Sequence, residues 1–278
     1  MNKLLLPALL LMAGSLYAQR DTSTSRVDKI YNAKVKYELP AATAGLVLFS
    51  AVALPAVIKH ATITEAELAK LDPYAINWFD RPEALSRSTD YGRAISSSDV
   101  LLNATLITPA FLMLDKKIRK DWLNTITLYM LTHAVNNTVF LGAVSSVRRV
   151  RPLVYNTAIA LEDRTGKGKI NSFYSGHVSN VTASTFFIVK VYTDHHHIKG
   201  WKRLLLYSAA AVPPALVGIS RLRAGRHFRT DVITGFLVGA TNGLMVPELH
   251  RVAKKKNLAM EPFYSPQSMG VSFRWTLD

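Results

Sequence analysis

Cysteine is absent from this chain of 278 residues, which excludes disulfide staples and thiolate metal sites and leaves the redox compartment open. Glycine and proline, 14 and 12 in number, are nowhere gathered into a linker, so the length points to one compact unit. Acidic residues are scarce: 19 of them face 34 lysines and arginines, a formal net charge of +15. No acidic cluster of the kind that holds a divalent cation stands out, so no metal and no cofactor is expected. Internal repeats and low-complexity tracts are also lacking, apart from His195-His196-His197, which reads as a solvated turn. The basic excess suits nucleic acid, anionic lipid headgroups or a phosphorylated substrate. Nucleic acid is set aside, because the basic residues lie between long apolar runs and not along one polar face. Nothing calls for an obligate protein partner.

Residues 1–18 read as a secretory signal peptide or an uncleaved anchor, with Lys3 as the positive start, Leu4 to Met12 as the apolar core and Ala18 before a cut at Gln19. This directs the protein to a cell envelope of bacterial type. Residues 19–250 are expected to form a helical domain whose motifs fall within 144–231. Residues 251–278 form a polar tail, in which Val271, Phe273 and Trp275 alternate as in a strand. Six apolar stretches occupy the domain: 41–58, 98–114, 125–147, 178–193, 204–219 and 232–246. A spanning helix needs roughly 20 mostly apolar residues, and the first, fifth and sixth come close. The third carries His133, Asn136 and Asn137, and the fourth Asn180 and Lys190; these two are expected to face protein, not lipid. The expected fold is all-α, a six-helix bundle embedded in a membrane. A soluble periplasmic bundle is the alternative that a mean hydropathy of only +0.13 leaves open. Lysine and arginine in the loops 115–124 and 194–203 and in the tail mark one face as cytoplasmic, which turns the motif-bearing face to the periplasm. A cleaved signal followed by six crossings gives the opposite result, so cleavage, six spans and the charge rule do not all hold together.

Three short strings carry the chemistry. The last runs from Ser220-Arg221 to His227 and Asp231. His227 and Asp231 are four apart, on one face of a helix and within hydrogen-bonding reach. A carboxylate that accepts from one ring nitrogen fixes the tautomer and frees the other nitrogen to attack. The planar fork of Arg221 can clasp phosphate oxygens. The middle string, Ser172 to His177, precedes an apolar stretch. Ser175 and Gly176 at a helix start offer free N–H groups and the positive end of the dipole to an anion. His177, on the first turn, can give a proton to a leaving oxygen. The first string, Arg148-Arg149-Val150-Arg151-Pro152, closes the third apolar stretch where proline stops the helix. Each string alone also has a plain reading as an ion pair, an N-cap or a basic membrane border. Their order and their positions at the ends of apolar segments distinguish the set.

Together the strings resemble the signature of the type 2 phosphatidic acid phosphatase and vanadium haloperoxidase superfamily: K-x6-R-P, P-S-G-H and S-R-x5-H-x3-D. The third matches at every fixed position. The second matches at Ser175, Gly176 and His177, with Tyr174 in place of proline; the first matches at Arg151 and Pro152, with Val144 in place of lysine. The resemblance covers roughly residues 125 to 246. It implies that His227 attacks phosphorus to form a phosphohistidine, that Asp231 orients it and that His177 protonates the departing alcohol. Arg151, Arg221, Ser175 and Gly176 would hold the phosphate oxygens without a metal, and Arg148 or Arg149 would replace the missing lysine. The implied activity is hydrolysis of a lipid phosphate or diphosphate at a membrane. The alternatives are a soluble periplasmic acid phosphatase of broad specificity, a vanadate-dependent haloperoxidase, and a non-catalytic envelope protein that binds anionic lipid.

Overall fold

All six apolar stretches become helical, in six long passes. The computed structural model describes residues 30–87, 91–256, 258–265 and 268–275; the expected signal at 1–18 lies outside them. The first pass joins α1 (Val35–Leu48) through a π-helical turn at Phe49–Ala53 to α2 (Leu54–His60). After β1 (Thr62–Ile63) comes α3 (Tyr91–Ile107), which tightens into 3-10 geometry over Thr108–Leu114. Next are α4 (Trp122–Ser146), β2 (Gly166–Lys167) and α5 (Gly176–His195). The fifth pass is broken at Ala211 into α6 (Gly200–Ala210) and α7 (Val212–Arg223), because Pro213 and Pro214 have no N–H to continue the ladder. The last helix, α8 (Arg229–Lys256), leads into an antiparallel hairpin of β3 (Leu258–Ser265) and β4 (Ser268–Trp275). The alternation at Val271, Phe273 and Trp275 is therefore a strand, and the tail supplies its own partner.

Polarity in the bundle runs opposite to that of a water-soluble core. Four passes, Val35–His60, Ala94–Leu114, Gly200–Arg223 and Arg229–Arg251, are long and apolar enough to cross a membrane. They turn Leu48, Val52, Ile107, Phe111, Leu204 and Leu237 outward. The two more polar helices, α4 and α5, bury most of their polar side chains inside. His133 sits between Asn180 at 2.9 Å and Ser184 at 3.1 Å. Asn136 accepts from Ser179 at 2.7 Å and from Asn242 at 3.1 Å. Lys190 donates to Asp194 at 2.6 Å and pairs with Glu248. In a hydrocarbon surround no water can satisfy such groups, so they have to find one another inside the bundle. His195 departs from the expected solvated turn: it is buried in the last turn of α5, bonds the Val191 carbonyl and lies against Tyr31, while His196 pairs with Asp115.

Helices α5 and α8 pack closest, along Gly235, Gly239 and Gly243. These are spaced by four, so they form one stripe on α8. A Cβ at Gly239 would stand 2.2 Å from the Ser179 carbonyl oxygen, and one at Gly235 2.6 Å from that of Ser175. The stripe lets the backbones touch, as small residues do between membrane helices, and it brings the start of α8 against the start of α5. Gly239→Ala has to separate the two helices. It is expected to cost about 3 kcal/mol of stability, at the upper end for an overpacked core, as read by equilibrium unfolding in mixed detergent micelles.

Candidate active site

The connection from α2 to α3 and the one from α4 to α5 meet over one end of the bundle. β1 pairs with β2 through Thr62↔Lys167 and Ile63↔Gly166. Ala61, Ile63, Leu68, Leu153, Val154 and Ile170 form a small apolar core beneath. Against it the chain after α4 is extended: Arg149 N–H donates to Ile170, Arg151 N–H to Lys169, and Ser172 N–H back to Arg149. Extended backbone alternates its side chains, and this parity decides where the arginines go. Arg148 points out to an ion pair with Glu67. Arg149 and Arg151 share the inward face, with Val150 between them packed on the small apolar core.

The Arg148 expectation assumed a helix continuing one turn beyond Val144. The helix stops at Ser146, so Arg148 faces away from the other strings. Arg149 does point inward, but it grips carboxylates. One Nη pairs with Asp231 and donates to Thr230 at 2.8 Å; the other reaches Asp80 at 2.6 Å. Its guanidinium also lies 4.4 Å from the centre of the Phe228 ring. Val144 is buried.

His227 and Asp231 are not on one helix face. α8 begins at Arg229, and Gly225, in the left-handed region at φ 60°, turns the chain just before His227. The Nδ1 of His227 stands 3.9 Å from Asp231 and instead donates to the Ser172 carbonyl at 2.7 Å. Asp231 accepts from the Ser172 hydroxyl at 2.6 Å and from Phe228 N–H at 2.9 Å. That second bond is the return arm of a capping box, a carboxylate three residues into the helix satisfying the N-cap donor. The tautomer expected of a direct His–Asp bond is thus set by a carbonyl, and Asp231 acts on His227 through Ser172.

Around His227 the other strings converge. Ser175 N–H donates to the Asp231 carbonyl at 3.0 Å, which ties the start of α5 to α8. Gly176 opens α5, where a Cβ would stand 3.0 Å from the Phe140 ring. His177 Nε2 donates to Asp99 of α3 at 2.8 Å. Arg221 lies 3.7 Å from the same carboxylate and donates to Ser98 at 3.1 Å. Arg151 donates through Nε to Asn171 at 3.1 Å. Burial and the neighbouring Arg226 and Arg221 pull the Arg151 guanidinium down to about 9. Burial, with Arg151 and Arg221 nearby, holds His227 well below the usual imidazole range. Burial and Arg221 push His177 down to about 4, against the pull of Asp99. Ser175 Oγ, Arg221 Nε and Arg226 Nε are buried without a hydrogen-bond partner among the described residues. Among the described residues no three His, Cys, Asp or Glu side chains gather as metal ligands.

Arg226 and Ser172, which stand inside the strings without an assigned role, and Asp80 and Asp99, which stand outside them, are the members that sequence reasoning missed. Arg226 had a signal, as a cation directly before His227. Its charge reaches both Arg151 and Arg221, so a third arginine stands near the other two.

Fold and site define a class of protein: a helical bundle with an apolar exterior that gathers histidines, arginines and a helix start at one end. Residues 126–255 match the family described as the PAP2 superfamily, and the chain belongs to that superfamily. The matched stretch contains all three strings. Among solved structures the chain is similar to a transmembrane PAP2-type phosphatidylglycerolphosphate phosphatase from Bacillus subtilis. The two are 21% identical, with a TM-score of 0.37, over 77% of this chain and 96% of that one. No curated protein sequence matches the chain.

Proposed function

We propose that the protein is a phosphatase that hydrolyses a lipid phosphate or diphosphate, of phosphatidate, prenyl diphosphate or lipid A type, through a phosphohistidine on His227. The observation that carries this reading is the set of buried donors without partners among the described residues, Ser175 Oγ, Arg221 Nε and Arg226 Nε, beside a histidine whose Nδ1 is already committed to a carbonyl. Buried donors are nearly always satisfied, and a phosphoryl group brings the several acceptor oxygens they lack. The amides that open α5 add the positive end of a helix dipole.

In the first step Nε2 of His227 attacks phosphorus. The N–P bond forms as the bond to the lipid oxygen breaks, and His177 gives its proton to that oxygen. Arg151, Arg221, Arg226 and the Ser175–Gly176 backbone hold the equatorial oxygens, whose charge grows on the way. In the second step water attacks the phosphohistidine, giving its proton to His177, and the N–P bond breaks to release phosphate. No step calls for a metal. The outward apolar faces of the four long passes support a substrate with a hydrocarbon tail, drawn from a bilayer in which the bundle is embedded. The loop charges favour an inner-membrane setting with the site toward the periplasm.

Phosphate release by the full-length protein in detergent, with a chelator present, tests this reading. The panel comprises phosphatidate, undecaprenyl diphosphate, lipid A and a soluble phosphate ester. Release from one of the lipids is expected. Turnover of the soluble ester alone would favour a broad acid phosphatase, and no release from any of the four would overturn the reading.

A further inference from the structure

Asp99 enters the site from α3, outside the stretch that matches the superfamily, and no string announced it. Its carboxylate accepts from His177 Nε2 at 2.8 Å and lies 3.7 Å from Arg221. Ser98 beside it accepts from Arg221 at 3.1 Å, so this turn of α3 is fixed against α7 at two adjacent positions. An ion pair as open to solvent as this one contributes little to stability. A carboxylate beside an anion site also repels the anion. Its chemistry is therefore better sought in the histidine it touches.

We infer that Asp99 is the positioning residue of His177: it takes the Nε2 proton as a hydrogen-bond acceptor, leaves Nδ1 to face the departing oxygen, and stabilises the imidazolium that delivers the leaving-group proton. The inference rests on the phosphatase reading above and adds a residue to it. Among the described residues, the charged and titratable groups facing His177 are Asp99 from α3, Arg221 from α7, and Arg151 and His227 from the connecting loops. Arg221, Arg151 and the buried surroundings all disfavour a charged ring. Asp99 is the carboxylate that opposes them, by hydrogen bond and by charge. A general acid must carry its proton when the bond breaks. During the first step the proton leaves Nδ1 for the lipid oxygen, and His177 is left neutral with Nε2–H still on Asp99. In the second step Nδ1 takes a proton from the attacking water.

The test compares two esters in detergent: para-nitrophenyl phosphate, whose leaving group needs little protonation, and an alkyl phosphate, whose leaving group needs it fully. Asp99→Asn is expected to lower kcat for the alkyl ester about 10- to 100-fold, at the low end of a general-acid contribution, and for the aryl ester less than about 3-fold. The alkaline limb of kcat for the alkyl ester should move to lower pH, and Asp99→Glu should recover part of the loss. Equal losses on both esters with the limb unmoved would reduce Asp99 to a structural contact and overturn the inference. A lower KM at unchanged kcat would also overturn it, marking Asp99 as a competitor of phosphate. If the wild type releases phosphate from neither ester and from none of the lipids above, the phosphatase reading fails first and takes this inference with it. An active wild type with either of the other results sinks the Asp99 assignment alone.

Discussion

His227→Ala is expected to remove phosphate release, with kcat falling by about 10⁴-fold or more while the bundle stays folded. Losing a covalent nucleophile costs more than losing any single binding donor, because the two-step path disappears with it. The residue is buried, but it lies in the loop between α7 and α8, not in the packed seam of α5 and α8. Circular dichroism should be unchanged. Acid-stable trapping is not the method, since phosphohistidine is acid-labile; alkaline quench after brief exposure to labelled substrate should show a label on the wild type that is absent from the variant. A variant with undiminished turnover would remove His227 from the chemistry. The same residue sets the pH behaviour. Burial, Arg151 and Arg221 depress its pKa, so the ring is neutral and nucleophilic at pH values where an ordinary histidine, near 6.5, is already protonated. After correction for substrate ionisation, kcat/KM for an aryl ester, whose leaving group needs little protonation by His177, should therefore hold as the pH falls through 6.5 and drop only well below it. A half-maximal rate near 6.5 would mean that the cationic surroundings do not act on His227.

What the sequence made legible is what depends on local pattern. The six apolar stretches became the six passes because length and hydropathy are local. The polar residues of the third and fourth stretches placed those helices inside, because a buried polar group needs a partner. The strings marked the ends of α4, α5 and α7, since proline, glycine and a basic cluster act on the turn in which they stand. The arginine directions were out of reach for a reason that can be named: a helix ending at Ser146 in place of Arg148 changes the period from 3.6 to 2 and turns Arg148 and Arg149 to opposite sides. The direct His227–Asp231 bond failed similarly, because α8 starts two residues after His227. Asp80 and Asp99 were invisible. They meet Thr230 and His177 across 150 and 78 positions, and no spacing rule reaches that far. The glycine stripe at 235, 239 and 243 was in plain view, but its meaning depends on which helix lies against it.

Arg149→Ala is expected to lower stability by about 3–5 kcal/mol, the range for breaking a buried ion pair by removing one partner. Asp80 and Asp231 are both fully buried, and Arg149 is the cation between them. Both carboxylates also serve the start of α8: Asp80 accepts from Thr230 N–H at 3.0 Å and Asp231 from Phe228 N–H at 2.9 Å. Two negative charges at a helix N-terminus suit the dipole, but without the guanidinium they repel each other in a site closed to water. The loss should reach catalysis too, because Asp231 holds the Ser172 hydroxyl and the Ser172 carbonyl holds His227. Arg149→Lys should recover only part, since one ammonium cannot reproduce a fork that reaches Asp231, Thr230 and Asp80 at once. Arg149→Met with Asp80→Asn, which removes a charge from each side, should recover more of the stability than Arg149→Met alone. The pH dependence has a definite sign. Burial would raise Asp80, yet hydrogen bonds from Thr230, Asn77 and Arg149 hold it below the usual carboxylate range. Its contribution is present above the unfolded value near 4 and is lost as the pH falls through the folded value. In Arg149→Ala that loss should begin at higher pH. Equilibrium unfolding in mixed micelles across pH 3 to 7 reads all of this. Unchanged stability with weakened phosphate binding would instead return Arg149 to the role of the missing lysine.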